Sequence, residues 1–302
     1  MPSRDRAPAG PVLVLGATGL VGSRLCAALR AGLGAAGVLA ASRRGDPGQG
    51  VDALSLSDGA ETTRYVRDRG PAVVVWCVRA GAGRPGAATE PVLAEVGLSA
   101  VCAALVPSAR LVYVSSDSVL AGAHGPHDES APVEALPTES PYAAYVEGKI
   151  AGERIAASLG ERCAIVRCGP IFGRGACGRW DARTTALQAA WGRGEAPGRP
   201  VNVLRSWIAV GDLARALALL VGRPAPGLWH VGPAEGASLY DHALWAARLL
   251  APPGARVAPT HVTPSEARRR HVRLDLRLDA RRATRAFGFT PAGVADGLGR
   301  ER

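Results

Sequence analysis

The sequence predicts an α/β protein: a doubly wound parallel sheet with a smaller, interleaved C-terminal lobe. Three observations predict it. Short, continuously apolar runs recur as "PVLVLG", "PAVVVWCV", "ARLVYVSS" and "RCAIVRCG", the pattern of strands buried on both faces. Segments with helical periodicity separate them, as crossover helices separate parallel strands. The first strand runs straight into a glycine-rich turn that opens a helix.

Taken in order, the first strand is expected at about Val12 to Leu15, and its helix runs to Ala31 with Gly32 as the stop. "GVLAASRR" is a second apolar run. "ETTRYVRDRG" fits a helix closed by Gly70, and "PAVVVWCV" is a strand. "EPVLAEVGLSAVCAALV" has helical spacing, "ARLVYVSS" is a strand, and Ser140 to Leu159 is a long helix in which Ser140 caps and Pro141 takes the first helical position. "RCAIVRCG" is again a strand. Beyond residue 170 glycine loops and short elements break the rhythm, until "SWIAVGDLARALALLVG" returns to strand and helix, with Asp212 as N-cap. The boundaries that follow are 1–168 for a dinucleotide-binding domain, with 201–222 returning to it, and 169–200 plus 223–302 for a substrate-binding lobe.

The chain of 302 residues is 47% hydrophobic and 21% charged, ordinary values for a globular protein. Its net charge of +10 is spread along the chain, and the densest cluster, Arg268, Arg269 and Arg270, lacks interleaved aromatics. Nucleic acid is therefore not the expected partner; an anionic small molecule is. The six cysteines form no C-x-x-C pair and have no histidine at zinc spacing, which predicts free thiols, no metal and a reducing compartment. Neither an apolar leader segment nor a membrane-length stretch occurs, so a cytoplasmic protein is expected.

"GATGLVG" places Gly16, Gly19 and Gly22 between strand and helix. The first glycine makes the turn, the next lets backbone approach a pyrophosphate, and the last lets helix and strand pack closely, while the helix N-terminus favours the negative charge. Gly16, Thr18, Gly19, Leu20, Val21 and Gly22 are thus the expected dinucleotide contacts. The end of the second strand reads Ser42-Arg43-Arg44. Basic residues there suit a 2′-phosphate, whereas an acid would take a 2′-hydroxyl. NADP(H) is preferred to NAD(H), and Asp46 lies too far along to reverse that preference.

Lys149 is the only lysine among 36 basic residues. It follows Tyr145 by four positions, on the same helical face. Free tyrosine ionises near pH 10, too high for efficient proton exchange at neutrality, and a nearby ammonium favours the phenolate. Lysine also offers a compact head with three donors, able to reach a ribose hydroxyl, which the flat guanidinium of arginine does not replace. "LVYVSSDSVLAG" ends a strand about 30 residues earlier. Functional groups gather at the C-terminal ends of strands in such sheets, which positions Ser116 to donate a hydrogen bond to a substrate carbonyl.

On "VLVLGATGLVGSRL", "VSSDSVLAG", "YAAYVEGKIAGE", "AIVRCGPIFG", "RSWIAVGDLARAL" and "GLWHVGP", the chain resembles an extended short-chain dehydrogenase/reductase of the dTDP-4-dehydrorhamnose reductase-like, sugar-nucleotide-modifying group. The resemblance implies a Rossmann fold, Ser116, Tyr145 and Lys149 as a catalytic triad, and Gly169 to Phe172, with Pro170, lining the nicotinamide pocket. It departs from that group at the strand end, where Ser116 replaces Thr, Ser118 replaces Tyr, and Leu120-Ala121 replaces Phe-Asp. "CVRAGAG" stands where the group has "A-A", and the acid/base glutamate of sugar-nucleotide dehydratases is absent after Asp117.

The expected activity is an NADPH-dependent ketoreductase acting on a nucleoside-diphosphate 4-keto-6-deoxy sugar. Tyr145 is the proton donor, Lys149 holds the nicotinamide ribose and tunes Tyr145, so that both contact the cofactor, and Arg174, Arg179 and Arg205 are candidates for the diphosphate. Two alternatives share the sequence features: an NAD-dependent sugar-nucleotide epimerase and a non-catalytic NADP-binding regulatory subunit. "EVGLSAVCAALV" and the 142–159 helix are the candidates for pairing into a homodimer, as in related proteins.

Overall fold

The apolar runs become strands of one seven-stranded sheet in the computed structural model, which describes residues 8–80, 89–122 and 124–300. They are β1 (Val12–Leu15), β2 (Val38–Ser42), β3 (Asp52–Ala53), β4 (Val73–Trp76), β5 (Arg110–Val114) and β6 (Cys163–Cys168). The short strands β7 (Ile171–Phe172), β8 (Gly198–Pro200), β9 (Leu204–Arg205) and β10 (Ile208–Ala209) intervene before β11 (Gly227–Val231) completes the sheet. Its order is β11-β6-β5-β4-β1-β2-β3, and every pairing from β3 through β6 is parallel. The order reverses between β1 and β4, so the loops after these two strands flank the switch point where doubly wound sheets bind ligands. This is the expected fold class.

The chain divides into two compact units, the first comprising residues 1–115, 135–167 and 214–229, the second 116–134, 168–213 and 230–302. In the first unit lie α1 (Leu20–Leu33), α2 (Gly59–Arg69), α3 (Glu90–Val92), which runs through a π-helical stretch at Leu93–Leu98 into α4 (Ser99–Ala104), and α5 (Ala143–Ala157). Asp58 caps α2 by accepting from Glu61 N at 2.9 Å, and Gly70 closes it at φ +52°. Leu13, Leu15, Val74, Trp76, Leu98, Leu111 and Tyr113 form the buried core beneath these helices. Helix α5 is tied to the sheet by polar groups as well. Arg167 of β6 donates to both oxygens of buried Glu153, at 2.8 and 2.7 Å, and Ser115 Oγ donates to the same carboxylate at 2.5 Å.

Three boundaries differ from expectation. Helix α1 passes through Gly32 and ends at Gly34, whose φ of +75° and N–H to Arg30 O (3.0 Å) make the cap. A glycine tolerates the helix interior at modest cost, and the stop falls at the glycine that turns left-handed. Helix α5 starts at Ala143, later than predicted: Ser140 Oγ accepts from Tyr142 N (3.3 Å), so Ser140-Pro141-Tyr142 forms a turn ahead of the helix. The helix that contains Asp212 starts at Val210, and the Asp212 carboxylate accepts from Ala292 N at 2.7 Å instead of capping.

In the second unit follow α6 (Ala182–Gly192), the start of α7 (Val210–Gly222), β12 (Ala237–Ser238), α8 (Leu239–Leu250), β13 (Ala258–Thr260), α9 (Pro264–Arg269), β14 (Asp275–Leu276), α10 (Arg281–Phe287) and α11 (Val294–Arg300). Asp181 caps α6 through Arg183 N and Thr184 N, both at 3.0 Å, and Ser238 with Asp241 forms a capping box on α8. Phe172, Leu187, Trp191, Trp207, Ala243 and Leu298 pack its core. Into that core α8 sends His242, stacked on Trp207 with centroids 4.0 Å apart. Its Nε2 has no hydrogen-bond partner. Burial, opposed by Asp181 and reinforced by Arg183 and Arg199, pushes its pKa down to about 4.

A histidine with a depressed folded pKa adds stability that is full above its unfolded pKa of about 6.5 and is lost as pH falls through the folded value. Denaturant unfolding of the second unit's core, followed by tryptophan fluorescence, is expected to lose about 3 kcal/mol between those pH values. His242→Gln is expected to flatten that dependence.

Candidate active site

The glycine turn is built for close approach. Gly16 has φ +83°, and a side chain there would place its Cβ 2.8 Å from Cys77 O. The Gly16 and Ala17 N–H groups donate to Ala41 O at 2.9 and 3.1 Å, fixing the turn to β2. Gly19 is the N-cap of α1; no side chain bonds to that cap, and the first turn carries no acid. Thr18 and Gly19 are exposed, Leu20 is half-buried, and Val21 and Gly22 are buried. The open N–H groups at the start of this helix fit a pyrophosphate.

At the end of β2, Ser42 is buried with its hydroxyl unpartnered, while Arg43 and Arg44 are exposed. The nearby acids are committed. Asp46 accepts from Gln49 Nε2 at 2.7 Å; Asp52 accepts from Tyr65 OH at 2.7 Å and pairs with Arg69 at 2.8 Å. The residues present thus fit a dinucleotide, and they offer a 2′-phosphate two cations and a hydroxyl.

Tyr145 and Lys149 lie one turn apart on α5, with Lys149 Nζ 5.9 Å from the Tyr145 ring centroid. Lys149 is 3% exposed. Its Nζ pairs with Glu90 Oε1 at 2.9 Å and donates to Val78 O and Val114 O, both at 3.2 Å. Burial works against its charge, but the oxygens of Tyr113, Glu90 and Tyr145 outweigh that and hold its pKa above the ordinary lysine value. Tyr113, whose ring centroid is 5.4 Å from the same ammonium, is pushed up to about 12, by burial first, with Lys149 offsetting part of the shift. Tyr113 is a neutral core residue; Tyr145, half-buried, is the reachable phenol.

Two residues here escaped the sequence reading. Glu90, at the start of α3, supplies the carboxylate for Lys149. Arg79, exposed on the segment after β4, holds its guanidinium 5.4 Å from the Tyr145 ring centroid. The only signal for Arg79 was the unusual "CVRAGAG"; Glu90 had none beyond its place before a proline. Residues 81–88 of that same loop lie outside the described residues.

Ser116 and Pro170 belong to the second unit. Ser116 is buried; its Oγ accepts from Ser118 N and donates to Asp117 Oδ1, both at 3.2 Å. Asp117 is buried and held above the usual carboxylate pKa by desolvation, with Arg205 opposing from 3.6 Å. Pro170 is half-buried, and its carbonyl accepts from Ile208 N at 3.1 Å. The arginines expected at a diphosphate are variously engaged. Arg205 donates to the carbonyls of Leu204 (2.7 Å), Leu274 (3.4 Å) and Arg273 (2.8 Å). Arg174 lies over Trp180 at 4.6 Å, and Arg179 Nε donates to Cys177 Sγ at 3.4 Å. Exposed Arg183, 5.8 Å from the Trp207 ring centroid, went unnoticed in the sequence. Among the described residues no His, Cys, Asp and Glu cluster has the form of a metal site, and no helix is long and apolar enough to cross a membrane.

A sequence profile described as the NAD dependent epimerase/dehydratase family matches residues 12–232. A curated relative from Streptomyces sp., a 3-diazoavenalumate denitrifying reductase, is 29% identical over 96% of this chain and 99% of its own. The solved dTDP-4-dehydrorhamnose reductase of Bacillus anthracis, in complex with NADP, superposes with a TM-score of 0.72 at 18% identity over 97% of each chain. MoeE5, solved with UDP-glucose and NAD, gives 0.71 at 25% identity, again over 97% of each. The chain belongs to the NAD dependent epimerase/dehydratase family and is an NAD(P)-dependent oxidoreductase.

Gly16→Ala combines a left-handed φ with a backbone collision. It is expected to cost about 1–3 kcal/mol. In thermal unfolding the variant should melt below wild type and lose the upward shift that added NADPH gives the wild-type protein.

Proposed function

We propose that the protein is an NADPH-dependent ketoreductase whose substrate is a nucleoside-diphosphate 4-keto-6-deoxy sugar and whose proton donor is Tyr145. The observation that carries this reading is the half-buried Tyr145 phenol one turn from Lys149, in the same unit as an open glycine turn. When bound, the nicotinamide supplies a hydride to the substrate carbon. The chain's part is to hold a proton on Tyr145 Oη for the oxygen that gains negative charge, and to present the Ser116 hydroxyl as a donor to that carbonyl. Gly16, Thr18, Gly19, Leu20, Val21 and Gly22 would hold the pyrophosphate side of the cofactor, with Ser42, Arg43 and Arg44 at its 2′-phosphate and Pro170 at the nicotinamide. Lys149 would act on Tyr145 through its charge.

A second reading is favoured by the Streptomyces relative, which matches over nearly the full length of both chains and is named for removing nitrogen from a diazo compound. Where the diazo group is a cationic diazonium, hydride from the nicotinamide would replace the departing dinitrogen on carbon, the C–N bonding electrons would leave with N2, and the charges balance with no proton added. Tyr145 then has no proton to deliver.

Incubation of the protein with NADPH and a panel of nucleoside-diphosphate keto sugars is expected to consume NADPH. Tyr145→Phe should lower that rate by about 100-fold or more. Consumption only with an aryl diazonium substrate, accompanied by N2 release and indifferent to Tyr145→Phe, would establish the second reading. Arg43→Gln combined with Arg44→Gln should weaken NADPH binding by about tenfold, since charge-assisted contacts to a phosphate are lost, and leave NADH binding unchanged in a fluorescence titration.

A further inference from the structure

An ammonium has three donors, and those of the chain's only lysine are all taken within the protein. Glu90 Oε1, Val78 O and Val114 O lie 2.9, 3.2 and 3.2 Å from Lys149 Nζ. The other Glu90 oxygen accepts from Ala80 N at 2.6 Å, so one carboxylate grips both the helix and the segment after β4. Glu90 is 5% exposed. A pair this deep is costly to assemble unless the geometry is fixed, and here Gly148 fixes it. A methyl on Gly148 would lie 2.6 Å from Pro91 N and 2.7 Å from Glu90 Cβ, so the start of α3 presses directly on α5 beside Lys149.

We propose that Glu90 is a positioning residue for the reaction: it holds Lys149 against the ends of β4 and β5 and cancels much of its charge at Tyr145. The proposal rests on Tyr145 as proton donor, the reading given above. Among the described residues of the first unit, charged and titratable groups that face Tyr145 or Lys149 include Glu90 from α3, Tyr113 from β5 and Arg79 from the segment after β4. Glu153, one turn further along α5, is consumed by Arg167. A lone ammonium about 6 Å from a phenolate in a partly screened site would shift its ionisation constant by roughly 100-fold. The carboxylate behind it takes back a large part. The acidity of Tyr145 is therefore set by a near-neutral Lys149–Glu90 pair together with Arg79, not by lysine alone. A phenol kept from over-acidification retains its proton at neutral pH, as a donor must.

Because the chain has one lysine, isotopically labelled lysine gives one side-chain NMR signal, and it reports Lys149 without any substrate. In the wild type that signal is expected to stay in its charged form throughout the pH range in which circular dichroism shows the fold intact. In Glu90→Gln, burial acts without its counter-charge, and the signal should titrate within that range. Glu90→Asp, which shortens the reach by one methylene, should move it the same way by less, and serves if the glutamine variant does not fold. In Glu90→Gln the lysine signal should titrate above the alkaline limb of NADPH-dependent reduction, and that limb should fall by about one pH unit, because with Lys149 still charged the loss of a negative charge favours the Tyr145 phenolate. Structural damage alone would lower the rate without moving the limb. A wild-type lysine titration in either folded variant, or a lower rate with an unmoved limb, overturns the proposal. Absence of reduction with every substrate, alongside a shifted lysine signal, would instead count against the ketoreductase reading.

Discussion

A positive charge taken out of water must be answered, and in this chain the answer decides how α5 lies on the sheet. Lys149 is carried inward by a helix whose inner face also holds Gly148 and Glu153. Glycine at 148 lets the chain at Glu90 come close enough to deliver its carboxylate. Four positions beyond Lys149, Glu153 meets Arg167 and Ser115. The two buried pairs have opposite sense: at Lys149 the helix brings the cation and α3 the anion, and at Glu153 the helix brings the anion and β6 the cation. Sliding or rotating α5 would leave two charges uncompensated at once, each costing several kcal/mol. The phenol of Tyr145, one turn before Lys149, inherits its position from that constraint.

The second unit spends its arginines differently. Arg205 looks from sequence like a cation awaiting an anion, yet its hydrogen bonds, like most of those of Arg273, go to main-chain carbonyls. Arg205 bridges β9 to the residues before β14, and Arg273 bonds Ser118 O, Leu120 O and Glu134. These bonds hold the segment that follows Ser116. Such arginines fix loop backbone, while Arg183 on α6 is one of several in this unit exposed to solvent. Nothing in residue type separates an arginine that stitches loops from one that meets a ligand; only the neighbouring carbonyls do.

That contrast marks how far the sequence could be read. The sheet was legible because strands buried on both faces cannot hide: β1, β4 and β6 are buried along their whole length and read as apolar runs. The turn at Gly16 and the spacing of Tyr145 and Lys149 were legible because each is local. Helix ends were less so, since Gly32 and Gly34 are chemically identical and only the chain's path chooses which one turns left-handed. Glu90 was illegible for a different reason. It reaches Lys149 across 59 positions (149 − 90), and its approach depends on an absent side chain at Gly148. A partner chosen by three-dimensional proximity leaves no periodic trace.

The same pair explains why a chain otherwise committed to arginine keeps one lysine. Three acceptors from three separate elements converge on a single nitrogen: a carboxylate from α3, a carbonyl after β4 and the last carbonyl of β5. A tetrahedral ammonium can point a hydrogen at each. A guanidinium spreads its five donors over a rigid plane, and its larger head would need both more room and a coplanar set of acceptors. Val78, Val114 and Glu90 do not offer that room, for Lys149 is already enclosed by Tyr113 and the sheet. Reaching a ribose is therefore not the first demand on this residue. The first is a compact charge that can be sealed beneath a tyrosine and balanced there, and among the basic side chains only lysine provides it.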